Sequence, residues 1–181
     1  MYLLDTDIII YSLKGHDAVR KNLQHHSQDP MKISIATLLE LYYGAYKSDK
    51  ITSNLAKVKT LENAFEVIPT AKESADIFGK VKATLEKSGT RLDDFDLIIT
   101  ACAMAYNLTL VTNNFVHFKR IDGLKLTDWS VYPSLLRGND TKPIESNTLA
   151  IIIDRIIVIQ NRDRWEGRKW KPSQYHQNIR L

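Results

Sequence analysis

Two carboxylates flank a hydroxyl near the N-terminus of the chain: Asp5 and Asp7, with Thr6 between them. The apolar residues 2–4 before them are too few for a helix and are typical of a buried parallel strand. Open α/β sheets place their functional sites at the carboxyl ends of such strands. Because residues 8–11 continue the apolar pattern, the two acids do not belong to a solvated loop. Their charge needs a compensating partner, and a divalent cation is the obvious candidate.

A third acid, Glu40, lies near a second predicted strand end. A short strand is predicted over residues 32–35, and helical spacing follows over residues 36–45. Glu40 is in the first turns of that helix. Its position has two interpretations: a solvated carboxylate favoured by the helix dipole, or a further member of an acidic group at the sheet edge.

Three more acids, Asp93, Asp94 and Asp96, open a helix whose following residues are almost entirely apolar. One aspartate is enough to cap a helix, and either Asp93 or Asp94 can do so. Asp96 lies inside the first turns and precedes the buried run. It is therefore the acid of this group that we expect to be functional.

Hydroxyl and amide side chains follow a further strand predicted over residues 108–111: Thr112, Asn113 and Asn114. Such residues are common in turns for purely local reasons. They also offer oxygen atoms and N–H donors to a bound water or phosphate. Both interpretations stay open from the sequence.

The elements that position these residues alternate between strand and helix, which predicts an α/β fold with right-handed crossovers and a parallel sheet. Thr70, with Glu73 three residues later, is predicted to cap the helix that follows the third strand. Strands are expected at residues 2–4, 32–35, 65–69, 108–111 and 124–126, and the main helices at residues 16–27, 36–45, 51–63, 70–87 and from 93 onward.

A parallel sheet would bring Asp5, Glu40 and Asp96 to one edge, near Asn113 and Asn114. Clustered carboxylates repel one another and lose solvation unless a cation neutralises them. Oxygen ligands without histidine or cysteine favour Mg²⁺, with Mn²⁺ as an alternative. Such a site suits phosphodiester hydrolysis by a metal-activated water. Whether it holds one ion or two stays open.

These stretches resemble the PIN-domain ribonucleases, and among them the VapC-type toxins of bacterial toxin–antitoxin pairs. The resemblance implies a three-layer PIN-like fold, with a central parallel sheet of about four to five strands flanked by helices. It further implies a Mg²⁺-dependent endoribonuclease, a homodimer and neutralisation by a cognate antitoxin. The matching stretches are residues 4–8, 35–44, 95–101, 110–114 and 124–130.

By the same resemblance, Asp5, Glu40 and Asp96 carry over as the catalytic and metal-binding acids, with Thr6 and Thr112 as nearby hydroxyls. Many relatives have a further acid after the fourth strand.

This chain departs from its relatives at that further acid, because it has Asn114 and His117 at the corresponding positions. The fourth carboxylate is therefore missing there, and Asp94 or Asp93 is a possible substitute. Asn114 is kept as a supporting residue. His117, between two apolar residues, is expected to be a partly buried structural histidine.

A C-terminal extension is the second departure. The 181 residues suffice for one domain and a small appendage, and we place a PIN-like domain at 1–130 and the extension at 131–181. The extension holds nine Lys and Arg against five Asp and Glu, a surplus equal to the net charge of +4. Its apolar residues 149–159 are expected to pack on the domain or across a dimer. It is either a solvated extension or a weak nucleic-acid-binding segment that uses Arg164, Trp165, Arg168 and Lys169.

Composition limits the remaining choices. No apolar run is long enough for a membrane span, and no signal peptide is recognisable, so the protein is expected in the cytoplasm. The only cysteine, Cys102, is expected in the core.

Two rivals to the nuclease remain. One is a catalytically inactive PIN-like module that binds RNA or protein. The other is a phosphoacceptor domain, which would need an Asp after the third strand, where this chain has Pro69 and Thr70. The RNA target is open.

Overall fold

The computed structural model describes residues 1–132, which form an α/β fold. Strands and helices alternate from the N-terminus, as the sequence predicts. The elements are β1 (Tyr2–Leu4), α1 (Thr6–Leu13), α2 (Asp17–His25), β2 (Met31–Ser34), α3 (Ile35–Tyr46), α4 (Ile51–Ala64), β3 (Glu66–Ile68), α5 (Lys72–Lys87), α6 (Asp94–Ala105), β4 (Thr109–Val111), α7 (Phe115–Phe118) and β5 (Leu126–Thr127).

All strand pairs of the five-stranded sheet are parallel, in the order β3-β2-β1-β4-β5. The first strand is central: Leu3 pairs with Lys32 on one side and with Leu110 on the other. The chain therefore builds outward from β1 to β3 and then returns to the other side of β1. This reversal creates a crevice at the carboxyl ends of β1 and β4, which is where α/β sheets bind their ligands.

Successive side chains of β1 point to opposite faces of the sheet, and each face has its own core. Leu4 packs with Ile8 of α1 and Leu41 of α3 in one buried cluster. Leu3 packs with Leu85 of α5 and Leu97 of α6 in the other. The sheet is thus the middle of three layers, and its central strand is buried on both faces, as its continuous apolar sequence predicts.

The predicted fold class is confirmed, but helices α1 and α7 were not among the predicted helices, and other elements differ at their ends. Helix α5 begins at Lys72 with Ala71 as N-cap and without a side-chain cap bond, so the prediction of a Thr70 capping box is wrong. The Thr70 hydroxyl instead lies 4.0 Å from Cys102 Sγ. Cys102 itself is buried, as predicted. The last strand begins later than predicted, at Leu126, because the Leu124 backbone N–H still donates to the Ile121 carbonyl in the turn before it.

Several predictions concern residues that the structure does not describe. The apolar segment 149–159 and the candidate nucleic-acid-binding residues Arg164, Trp165, Arg168 and Lys169 lie outside the described residues. Within 1–132, no helix combines the length and apolar character that crossing a membrane requires.

Candidate active site

Asp5 lies at the crevice between β1 and β4. It is the N-cap of α1, and its Oδ1 accepts a hydrogen bond of 2.7 Å from the Thr6 backbone N–H. Its Oδ2 accepts one of 2.7 Å from Thr112 Oγ1, beyond the end of β4. The Asp5 backbone N–H also donates to the carbonyl of Val111. Burial raises the pKa of Asp5, although the two hydrogen bonds to its carboxylate oppose the rise. The carboxylate is therefore fixed in position but short of compensating charge.

Asp7 follows in the first turn of α1. Its Oδ2 accepts a hydrogen bond of 2.9 Å from the Asn113 backbone N–H and lies 3.5 Å from Thr112 Oγ1. Its Oδ1 is buried and has no hydrogen-bond partner within residues 1–132. Burial, followed by the charge of Asp5, raises the pKa of Asp7 well above its ordinary value, and Asp96 adds to the effect.

Glu40 reaches this edge because α3 packs against both α1 and α6. Its Oε2 accepts a short hydrogen bond from the buried hydroxyl of Thr6. Burial raises the pKa of Glu40 to about 7, and the negative charge of Asp5 contributes to the rise. Thr6 is thus a positioning residue, because its backbone N–H holds Asp5 and its side chain holds Glu40.

Asp96 completes the group from the first turn of α6. Burial, followed by the charges of Asp5 and Glu40, raises the pKa of Asp96 to about 8. The three acids that the sequence singled out are therefore close enough to influence one another. Within residues 1–132, burial raises the pKa of every acid in this group, neighbouring carboxylates add to the rise for Asp7, Glu40 and Asp96, and no basic side chain lowers one.

The structure corrects two expectations about the fourth carboxylate. Asp94 does not join the group, because its Oδ1 lies 2.5 Å from Lys82 Nζ and its side chain is 61% exposed. Asp93 caps α6 by accepting a hydrogen bond from the Phe95 backbone N–H, so its role is the ordinary one. His117, expected to be partly buried, is exposed on the one-turn helix α7.

The strand end after β4 acts mostly through its backbone. Asn114 donates its backbone N–H to Thr112 Oγ1 at 3.0 Å, which orients the hydroxyl that holds Asp5. Asn113 donates its backbone N–H to Asp7. The predicted supporting residues Thr112 and Asn114 therefore lie at the site.

Asp7 lies at the site, although only Asp5, Glu40 and Asp96 were carried forward from the sequence as its acids. Asp5 and Asp7 were named together in the opening motif as acids whose charge needs a compensating partner, and the apolar runs on both sides indicated that both are buried. The resemblance to the PIN-domain ribonucleases then carried over Asp5 and not Asp7.

The donor set suits a hard divalent cation. Among residues 1–132, no three acidic, histidine or cysteine side chains already stand as a ready-made ligand cluster. Asp5, Asp7 and Glu40 instead accept hydrogen bonds from hydroxyl and backbone donors. However, Asp7 Oδ1 has no hydrogen-bond partner within residues 1–132, and no basic side chain there lowers the pKa of any acid in the group. Mg²⁺ or Mn²⁺ takes carboxylate oxygens of this type, so the chemistry of the donor set is compatible with either ion.

Comparison with known proteins agrees with this geometry. Residues 2–124 match the PIN domain. The chain is 36% identical to Ribonuclease VapC2 of Rickettsia felis, in an alignment that covers 71% of this chain and 98% of that relative. It is 35% identical to the tRNA(fMet)-specific endonuclease VapC of Shigella flexneri, with the same two coverages.

Solved structures are similar over the same region. VapBC2 from Rickettsia felis, bound to a DNA fragment from its promoter, matches with a TM-score of 0.67 and 35% identity, and covers 71% of this chain and 98% of that chain. VapBC-1 from nontypeable Haemophilus influenzae matches with a TM-score of 0.66 and 30% identity, and covers 72% and 98%. From the match to residues 2–124 and the relatives above 30% identity, the chain belongs to the PIN-domain family and is related to the VapC ribonucleases.

Proposed function

We propose that this chain is a Mg²⁺-dependent endoribonuclease toxin that acts in the cytoplasm and is neutralised by a cognate antitoxin. One observation carries the proposal: buried carboxylates, with no basic side chain among residues 1–132 to lower their pKa values, meet at the crevice of a PIN domain. The names of its relatives add support, since they are called ribonucleases or endonucleases. Mn²⁺ is a plausible substitute for Mg²⁺.

The mechanism follows from how the chain fixes its acids. A divalent cation would be held here by Asp5, Glu40 and Asp96, and it would supply Lewis-acid polarisation of a phosphodiester and a more acidic water near neutral pH. Asp5 is held on both oxygens, by Thr6 and Thr112, so it is ready to bind without reorganising. Glu40 is aimed by the Thr6 hydroxyl, and Asp96 faces the same group from α6. Preorganised carboxylates of this kind reduce the cost of assembling the site.

RNA is the substrate class that the relatives' names support, and one relative is named for tRNA(fMet). We propose an unpaired RNA segment as the substrate, since single-stranded loops are the usual targets of sequence-selective recognition. A protein partner is supported by solved VapBC neighbours. In this chain, four apolar side chains form an exposed stripe along α3, which we assign to the antitoxin: Ile35, Leu39, Tyr43 and Tyr46, from 37% to 62% exposed.

RNA cleavage by the purified full chain tests the activity. The protein is mixed with total RNA and transfer RNA, with Mg²⁺ or with EDTA, beside Asp5→Asn and Asp96→Asn. Asp94→Asn is the matched control, because Asp94 is paired with Lys82 on the surface. We expect Mg²⁺-dependent cleavage that both site variants lose and the control retains. Cleavage that survives in EDTA or in both site variants contradicts the proposal.

The second candidate is a PIN-like module that binds RNA or protein without cutting. The absence of an acid at Asn114 and His117 favours it. This module would neither cleave RNA nor bind Mn²⁺ in calorimetry. RNA cleavage and Mn²⁺ binding by the purified full chain, prepared without antitoxin, therefore distinguish the two functions.

A further inference from the structure

Asp7 differs from the other acids of the site in the state of its two oxygens. Its Oδ2 is satisfied by the Asn113 backbone N–H at 2.9 Å. Its Oδ1 is buried and has no hydrogen-bond partner within residues 1–132. A buried carboxylate oxygen without a donor costs free energy and calls for an explanation such as a bound ion. Asp5, by contrast, has a donor on each oxygen.

The position of Asp7 relates that free oxygen to the rest of the site. Asp7 belongs to the first turn of α1, directly after the residue that caps this helix, and Asp5 and Asp96 are the charges that act on it. The helix dipole explains why a carboxylate is tolerated there. It does not explain a buried oxygen without a hydrogen-bond partner on a carboxylate that two other carboxylates repel. A cation shared among these three residues does.

We propose that Asp7 supplies the fourth carboxylate of the site, with Oδ1 serving to hold a divalent cation together with Asp5 and Asp96. This inference rests on the proposed metal-dependent function. The Asn113 backbone N–H anchors Oδ2 and leaves Oδ1 available, so Asn113 is a positioning residue that acts through its backbone. Asp7, on the first helix, then replaces the acid that is absent at Asn114 and His117.

Mn²⁺ binding to the full chain tests this role without relying on activity. Metal-stripped wild type, Asp7→Asn and Asp94→Asn are titrated with MnCl₂ by calorimetry. Asparagine has the shape of aspartate and keeps an oxygen for the Asn113 N–H, but it lacks the charge. We expect Asp7→Asn to bind Mn²⁺ about tenfold to 100-fold more weakly, and Asp94→Asn to bind like wild type.

Thermal unfolding of the metal-free variants guards against misfolding. Asp7→Asn removes a buried charge from a repelling group, so its Tm should equal or exceed that of wild type. If asparagine disturbs the packing, Asp7→Ser replaces it, and the same loss of Mn²⁺ affinity is expected.

The outcomes separate the two proposals. Mn²⁺ affinity of Asp7→Asn within twofold of wild type, with wild type binding Mn²⁺ and cutting RNA, overturns the role of Asp7 alone. A wild type that neither binds Mn²⁺ nor cuts RNA overturns the proposed function and this inference with it. Weakened Mn²⁺ binding in Asp7→Asn supports the inference even if the RNA substrate is not found.

Discussion

Glu40 on α3 and Glu62 on α4 each accept a hydrogen bond from a hydroxyl group, yet their environments differ. The Tyr42 hydroxyl donates to Glu62 at 2.7 Å, and Lys59 Nζ also donates to it at 2.8 Å. The hydrogen bond from Lys59, followed by that from Tyr42, lowers the pKa of Glu62. Glu40 has the Thr6 hydroxyl as its donor, and burial raises its pKa to about 7.

The difference between these two glutamates distinguishes a structural acid from a functional one. A carboxylate whose charge is offset by a lysine in water is stable as it stands. The charged form of a buried carboxylate beside Asp5 and Asp96 is disfavoured unless a cation binds to it. Perturbed acids in a crevice are typical of functional sites, and residues 1–132 concentrate such acids at the carboxyl ends of β1 and β4.

Replacing each glutamate with glutamine should give the largest difference in RNA cleavage rate between the two positions. Glu40→Gln removes an acid of the site, so RNA cleavage should fall by roughly 10²- to 10⁴-fold. Glu62→Gln leaves the site unchanged and should cleave like wild type. Single-turnover cleavage at saturating Mg²⁺ measures both. Equal rates for the two variants would remove the distinction drawn between the two glutamates.

The pH dependence of stability should differ from that of a protein whose acids are paired. Glu40 and Asp96 lose their protons near 4.5 and 3.8 when unfolded, but hold them to about 7 and about 8 in the folded chain. Between these values the folded state binds more protons than the unfolded state. The free energy of unfolding must therefore fall as pH rises from about 4 to about 8, by on the order of 3 kcal/mol for Glu40 alone.

Urea unfolding in EDTA at pH 5 and pH 8 measures this loss. Glu40→Gln should flatten part of the profile, and Glu62→Gln should not. Saturating Mn²⁺ should restore stability at pH 8, by about 2.7 kcal/mol at 100 times the dissociation constant. Stability that rises between pH 5 and pH 8 without metal would show that the acids are compensated in some other way.

Removing the hydroxyl donors should have a smaller effect, again unequal for the two glutamates. Thr6→Val leaves the partly buried Glu40 without the Thr6 hydrogen bond, at a cost of about 1–3 kcal/mol at pH 8. It should also lower RNA cleavage roughly tenfold, because Glu40 is no longer aimed. Tyr42→Phe leaves Glu62 paired with Lys59 and should preserve the cleavage rate. Thr6→Ser keeps the hydroxyl and should restore most of the rate.

The sequence predicted the chemistry of the site better than its contacts. Asp5, Glu40 and Asp96 stand at strand ends or helix starts, and the alternation of strand and helix predicted that these positions converge. Asp7 was left out of the acids predicted to converge, because spacing does not reveal that one of its oxygens is buried without a hydrogen-bond partner. Asp94 was kept as a possible substitute for the fourth acid, but it pairs with Lys82 on α5. That contact depends on how two helices pack, which the local pattern of α6 does not encode.

The same limit applies to the fold. Parallel strands followed from the alternation of elements, whereas the order β3-β2-β1-β4-β5 depends on where each crossover lands. The start of α5 shows the same limit. The sequence pattern predicted a capping box at Thr70, but the Thr70 hydroxyl faces Cys102 and the helix begins at Lys72.

Breaking the Lys59–Glu62 pair should have the smallest effect. The Lys59 side chain is 63% exposed and that of Glu62 is 32% exposed, so water and salt screen their attraction. Lys59→Ala should shift Tm by no more than about 2 °C and leave cleavage unchanged. Melting curves at low and high salt measure the shift, which should shrink as salt is added. A large loss of Tm that persists in high salt would mean that Glu62 depends strongly on Lys59. The two glutamates would then differ only in where they lie, and not in their need for a positive charge.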